Sequence, residues 1–294
     1  MRKTFISIPT ILSLFFLASC GSQEKTTKCD VLVSIPPYIY FVNELTNGEL
    51  VTVSLVPEGA NPHLYEPSPR QVAEAREAKA WIRLSEGFEI KIANALLQQN
   101  PNLVLLNLAK ELSLPHLHEE DHVHTEGTCS HCHHDNIDLH FWMSLELAQQ
   151  QADLIAKALI QAFPERLEQI KHNLPIFQKK ITETHSLIKE KLAPYEGEAI
   201  LVSHPACGYF CHDYNLEQIS IEMEGKDPLP QQISSILESV HSIKIRTILT
   251  QAQYNNKGAL MIGDILHLKT HEVDPYSANY LNNLVQIATF IERP

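Results

Sequence analysis

The chain has 294 residues, 44% hydrophobic and 20% charged, and its 23 basic against 35 acidic side chains leave a formal net charge of −12. That length and composition bury a sizeable core, as two domains or one large one, and exclude a disordered protein. The acidic balance weighs against nucleic acid and anionic membrane surfaces as partners, because neutralising phosphates takes Lys and Arg.

At the N-terminus, Arg2 and Lys3 precede an apolar stretch from Phe5 to Ala18 that closes in Leu17-Ala18-Ser19-Cys20. The stretch is too short to span a bilayer and reads as an export signal over residues 1–19. Its ending resembles a bacterial lipobox, which implies a lipid on Cys20 and a polar tether over 20–29. Beyond the tether, short apolar runs alternate with amphipathic helical patterns. VLVSI at 31–35 precedes a helix over 38–46, and LVTVSLV at 50–56 precedes SPRQVAEAREAKA. AWIRL at 80–84 precedes a helix over 88–99, and LVLLNL at 103–108 is the fourth run. This alternation predicts a parallel sheet wrapped on both faces.

A helix is expected from Ser144 to Phe163, and residues 165–192 hold a second of about seven turns, which Pro175 should bend. The alternation then restarts with AILVS at 199–203, a helix over 205–213 and LEQISI at 216–221. A helix over 229–241, IRTILT at 245–250, a helix over 256–267, THEVD at 270–274 and a last helix over 279–291 complete it. The fold class expected is α/β: two Rossmann-like βα lobes with parallel sheets, 30–163 and 196–294, joined by one long backbone helix over 164–195. A ligand site then belongs in the cleft between the lobes.

Seven of the 16 histidines crowd between His116 and His134. They are His116, His118, His122, His124, His131, His133 and His134, on a segment (116–135) without apolar periodicity that also carries Glu119, Glu120, Asp121 and Glu126. Imidazole stays a neutral nitrogen donor near neutral pH, so such a tract handles metal rather than filling a core. An appended tag would sit at a terminus and lack the carboxylates. Each cation bound there carries the entropic cost of ordering the loop, so weak capture is expected, as a collector or sensor beside a tighter site. Cys129 and Cys132 lack a second half at zinc-knuckle spacing. Cys207 and Cys211, four residues apart at a helix start, read as packed core thiols, and the pairing of the cysteines stays open.

In parallel βα sheets the ligand site lies at the carboxyl ends of the strands. Four polar positions stand out there: His63 in PEGANPH, His140 in NIDLHFWMS, His204 in LVSHPACGYF and Asp274 in EVDPYSANY. Pro62, Pro205 and Pro275 restrict the backbone beside three of them. Three imidazoles and a carboxylate are an ordinary four-coordinate set for Zn²⁺, whereas Mg²⁺ and Ca²⁺ take oxygen.

The stretches GANPHLYEPSP, DLHFWMS, SHPACGYF and VDPYSANYLNNL, in this order across residues 30–291, resemble the metal-binding solute receptors of ABC importers, the cluster that includes ZnuA, TroA and PsaA. By that resemblance His63, His140, His204 and Asp274 are the metal ligands. The resemblance also implies a small cleft movement limited by the long helix, a monomer, and an ABC permease and its ATPase as partners. A lipid anchor on the outer side of the cell membrane, in the periplasm of a Gram-negative cell, goes with it. The acidic histidine-rich insertion marks the zinc branch, and His204 stands where manganese-type members tend to carry a carboxylate; Mn²⁺ or Fe²⁺ is the alternative cargo. The chain departs from the family at Gln251, where Glu is frequent, which leaves Asp274 as the obvious anionic ligand. Two other classes compete: a surface adhesin or metal buffer in which the loop matters, and a zinc hydrolase. The hydrolase needs an open coordination position and a nearby base, and the chain has no HExxH, Gly-x-Ser-x-Gly or phosphate-binding glycine loop.

Overall fold

The computed structural model describes residues 28–115, 117, 137–222 and 226–294. The export signal, Cys20, the seven crowded histidines, Cys129 and Cys132 lie outside the described residues.

Eight short strands form two four-stranded parallel sheets with the same strand order. In the first, β1 (Val31–Val33) pairs with β2 (Thr52–Ser54) and β3 (Ala80–Arg83), and β4 (Val104–Asn107) flanks β3. In the second, β5 (Ala199–Val202) pairs with β6 (Glu217–Ser220) and β7 (Ile245–Gln251), and β8 (Thr270–Val273) flanks β7. Both central strands, VLV in β1 and AILV in β5, are buried at every residue. Continuous apolar runs suit strands covered on both faces, which is why these segments lack a period of two.

Helices cover the sheets in the expected alternation. In the first lobe these are α1 (Pro37–Thr46), α2 (Pro69–Glu74), α3 (Gly87–Gln99) and the single-turn α4 (Leu108–Glu111). The long pair is α5 (Leu145–Ala162) and α6 (Leu167–Leu192). The second lobe carries α7 (Gly208–Asp213), α8 (Pro230–Ser239), α9 (Lys257–Leu266) and α10 (Tyr280–Glu292). Local chemistry explains the ends. Ser68 caps α2 in a reciprocal box with Gln71, with Pro69 at the first position, where a missing N–H costs nothing.

Two details differ from the sequence pattern. The helix over 205–213 starts only at Gly208. Pro205 and the bond from Cys207 N to Gln218 Oε1 at 2.6 Å hold the preceding residues out of it. The amphipathic stretch after Ser68 ends as a helix at Glu74 and tightens into a 3-10 turn over Ala75–Glu77. As expected, α6 continues through Pro175 to Leu192, although the ring removes one amide donor from the helix.

α6 is the frame on which the lobes are mounted. Its buried residues Ile170, Phe177, Ile181, Ile188 and Leu192 recur at intervals of seven and four, which places them on one face. Phe177 meets Phe41 of α1 edge-on at 5.2 Å, and Phe41 also meets Tyr280 of α10 at 5.0 Å. The first and last helices of the described residues thus share one aromatic cluster on α6. Polar bonds tie the same joint: Trp142 Nε1 donates to Pro275 O at 2.9 Å, and Tyr280 OH donates to Trp142 O at 2.6 Å. Ser144 Oγ, the N-cap of α5, donates to the Asp213 carboxylate of α7 at 2.9 Å.

Phe177→Ala is expected to lower unfolding stability by about 3–5 kcal/mol, as for a fully buried aromatic, whereas Ile176→Ala at the neighbouring exposed position shifts it by under about 0.5 kcal/mol. Urea denaturation of the two variants checks which face of α6 carries the core.

Candidate metal centre

Each candidate imidazole sits in a loop leaving the carboxyl end of a strand or entering α5, and each loop is closed by its own sequence. After β2, Asn61 Oδ1 accepts the amide of His63 at 2.9 Å, an Asx turn that Pro62 stiffens. Before α5, Asp138 Oδ1 accepts both the amide of His140 at 2.8 Å and its ring Nδ1 at 2.7 Å. After β5, the Gln251 amide donates to the carbonyl of His204 at 2.7 Å, and the Tyr254 ring stacks on the imidazole at 4.2 Å.

These loops bring His63, His140 and His204 together. Their ring centroids stand 5.4, 5.2 and 5.2 Å apart, close to an equilateral triangle. One donor nitrogen from each lies within 4.8 Å of the other two, and the Nε2 atoms of His140 and His204 face each other at 3.4 Å. A tetrahedral Zn²⁺ with bonds of about 2.0–2.1 Å spans about 3.3–3.4 Å between donor atoms. The spacing of the His140 and His204 pair fits that edge. His140 and His204 are buried, while the His63 side chain keeps 33% of its surface open.

Behind each imidazole stands a carboxylate. Asp138 takes Nδ1 of His140, Glu222 Oε1 takes Nδ1 of His204 at 2.9 Å, and Glu86 Oε2 lies 3.5 Å from Nδ1 of His63. A carboxylate on Nδ1–H fixes the tautomer and leaves the Nε2 lone pair for a metal. Glu86 is aimed by a strained turn: Ser85 takes φ 82°, and buried Glu89 accepts the amides of Leu84 and Ser85, both at 2.8 Å, to hold it. One Glu86 oxygen, Oε1, is buried without a partner.

The electrostatics follow from burial and charge. Burial, reinforced by the neighbouring His140 and His63, pushes the His204 pKa down to about 2, so this imidazole is neutral and ready to coordinate. Burial also works against a charged His63, but the Glu86 carboxylate outweighs it and the net shift is upward. Burial raises the Glu222 carboxyl to about 7 against the pull of His63 and His140. For Asp138 burial again opposes ionisation, and the charge and hydrogen bonds of His140 reverse it, leaving a lowered pKa.

Asp274 is not brought into the triad. Its Oδ1 accepts Gln253 Nε2 at 2.6 Å and the amide of Tyr276 at 3.0 Å. Among the described residues the close group of donors is three imidazoles without a carboxylate. Three carboxylates that the sequence reading did not single out, Glu86, Asp138 and Glu222, stand at the Nδ1 atoms of the rings. A signal for the first and last existed, since Glu86 follows β3 and Glu222 follows β6, at the same strand ends that mark His63 and His204.

A two-lobed α/β frame with an imidazole cluster between its sheets defines a cleft-type metal-binding protein. The profile of the family described as zinc-uptake complex component A, periplasmic, matches residues 31–293, and the chain belongs to that family. A putative metal-binding protein of Chlamydia trachomatis is 25% identical over 98% of both chains. A crystal structure of ZnuA is 29% identical, covers 90% of this chain and 98% of its own, and superposes with a TM-score of 0.78. A ZnuA deletion mutant with zinc bound is 28% identical, covers 90% of this chain and 97% of its own, and gives 0.76.

Removing the carboxylate behind a ligating imidazole should weaken metal binding about 10–100-fold. Asp138→Ala is expected to show that loss in a chelator-competition titration with Zn²⁺, while replacement of the exposed Glu58 leaves the affinity unchanged.

Proposed function

We infer that the chain is the extracytoplasmic zinc receptor of an ABC importer, which captures Zn²⁺ in the cleft between its lobes and delivers it to a membrane permease driven by an ATPase. His63, His140 and His204 supply the nitrogens. The observation that carries this reading is the triangle of imidazoles with a carboxylate behind each ring. Nitrogen donors with the spacing of a tetrahedral edge favour zinc over Mn²⁺, which takes oxygen more readily.

The three carboxylates explain why a dication is held between neutral rings. Coulombic attraction in a partly buried site is screened far less than in water, so Glu86 and Asp138, joined by Glu222 once the ion's charge draws off its proton, favour the doubly charged ion. A solute receptor releases its cargo unchanged, and the family is one of receptors, not of hydrolases. In this reading the 30–163 and 196–294 lobes draw together by a small movement about the helix over 164–195, and the closed form is what the permease recognises. Residues 1–19 act as the export leader, Cys20 carries the lipid that keeps a monomeric receptor at the outer side of the membrane, and the histidine-rich segment over 116–135 gathers ions weakly beside the cleft.

Two experiments separate cleft from loop. His140→Ala should abolish the single tight site and leave weak ones, whereas deletion of 116–135 should leave one tightly held ion per chain, read by metal analysis after gel filtration. Tight binding that vanishes with the loop instead would favour a metal buffer.

Acid provides the second check. A proton competes with the metal for each imidazole, and His63, whose pKa Glu86 holds up, is drawn to the charged form as pH falls. Affinity should therefore begin to fall already above about pH 6.5, the ordinary imidazole value, and keep falling as the pH drops below it. Equal affinity at about pH 5 and about pH 7.5 in a buffered competition assay would count against imidazole ligation.

A further inference from the structure

We propose that α7 clamps the His140 turn to the second lobe, and that Asp213 is the positioning residue of this clamp, acting on zinc affinity through His140 without touching the ion. The inference rests on the three-imidazole reading above and asks what holds two of the rings as a pair.

The clamp grips the chain on both sides of His140. Tyr209 and Asp213 stand four residues apart on α7 and therefore share one face of it. Tyr209 OH donates to the carbonyl of Asp138, just before His140, at 3.0 Å. Beyond His140, the Asp213 carboxylate accepts the Ser144 hydroxyl at 2.9 Å from either oxygen and the Glu146 amide at 3.2 Å. Only the 3-10 turn Phe141–Met143 separates His140 from Ser144, so a shift of the serine is passed to the ring. The same short helix starts soon after His204, and the bond from Cys207 N to Gln218 Oε1 ties the intervening residues. α7 thus sets the backbone on which both rings stand, and their Nε2 atoms meet at 3.4 Å.

Asp213 does more than α5 requires. Ser144 already caps that helix by accepting the Leu147 amide at 3.0 Å. Glu146 adds an acid in the same first turn, and burial, reinforced by that charge, lifts the Asp213 carboxyl to about 6 against its hydrogen bonds. A partly buried carboxylate beside a like charge is a costly way to cap a helix that has a cap. What it adds is the bridge, since it reaches from the second lobe to the helix that His140 leads into. α5 itself holds the turn through Gln151 Nε2 on the Phe141 carbonyl at 3.3 Å, a longer bond than any made by α7.

The test uses the full chain, stripped of metal. Zn²⁺ affinity is measured by chelator competition, ligand geometry by Co²⁺ visible spectra and stability by urea unfolding. Asp213→Ala should weaken Zn²⁺ binding about tenfold, the low end for a residue behind a ligand, and shift the Co²⁺ bands. Asp213→Asn, whose amide oxygen still accepts from Ser144, should recover the affinity to within about threefold of the parent and restore the bands. Tyr209→Phe removes the other grip by a single oxygen and should weaken binding in the same direction. Ile236→Ala, in the separate core under α8, should lower unfolding stability yet leave Zn²⁺ affinity within about threefold. Parent affinity in Asp213→Ala, or in Tyr209→Phe should the first variant not fold, would overturn the clamp. So would an Asp213→Asn variant as weak as Asp213→Ala, or an equal loss in Ile236→Ala, which would make the effect one of stability alone. Tight zinc binding retained by His140→Ala would sink the three-imidazole reading itself, a separate outcome from failure of the clamp.

Discussion

The pairing of each imidazole with a carboxylate is the interaction on which the rest depends. Three histidines crowded to ring separations near 5 Å repel one another once charged, and burial makes charging worse. Left alone, such a cluster would be neutral but free to choose tautomers and rotamers. Glu86, Asp138 and Glu222 remove that freedom by occupying Nδ1 of their respective rings. The cost of three partly buried carboxylates is offset by the same hydrogen bonds and, when a dication is present, by its charge. The pull of the site toward a cation and the alignment of its ligands thus have one cause.

That arrangement needs a frame that holds loops from two lobes in register. A donor misplaced by 1 Å leaves bonding range for a metal whose bonds are about 2 Å long. The stripe on α6 and the aromatic cluster of Phe41, Phe177 and Tyr280 supply the stiffness. Near the site, Trp142 and Tyr280 lock the turn after His140 to the far lobe, and Tyr209 OH donates to the carbonyl of Asp138 at 3.0 Å. Gly208 belongs to the same fit. A Cβ there would come within 3.1 Å of Asp138 Oδ2 and 2.8 Å of Leu117 Cδ1, so glycine lets α7 approach the carboxylate that orients His140 without displacing either side chain.

Much of this was legible in the sequence because it rests on local rules. Continuous apolar runs gave the buried strands, and the stretch from Leu167 to Leu192 was long enough to stand out as a connector. The rule that ligands gather at strand ends selected His63 and His204, and the His140 turn lay beside them in a helix-entry motif. The same rule, carried to β3 and β6, would have found Glu86 and Glu222. They escaped notice because a glutamate in an acidic chain is unremarkable until its partner is known. Asp138 carried a stronger hint, lying two residues before His140, where an Asx turn and a ring bond can share one oxygen. The bonds of Asp274 Oδ1 to Gln253 and to the Tyr276 amide were not legible, because no spacing encodes which donors a carboxylate meets.

The three rings differ in exposure. His140 and His204 are closed off by Trp142, Tyr276 and Tyr254, whose rings stand 5.2, 6.3 and 4.2 Å from one or the other imidazole. Only His63 keeps an appreciable face toward solvent. The Glu86 partner of His63 sits at 3.5 Å, farther than the carboxylates behind His140 and His204. A receptor must bind tightly and still let go. Two rigid, buried nitrogens supply the first property, and a third on a more open, more loosely held side chain supplies the second.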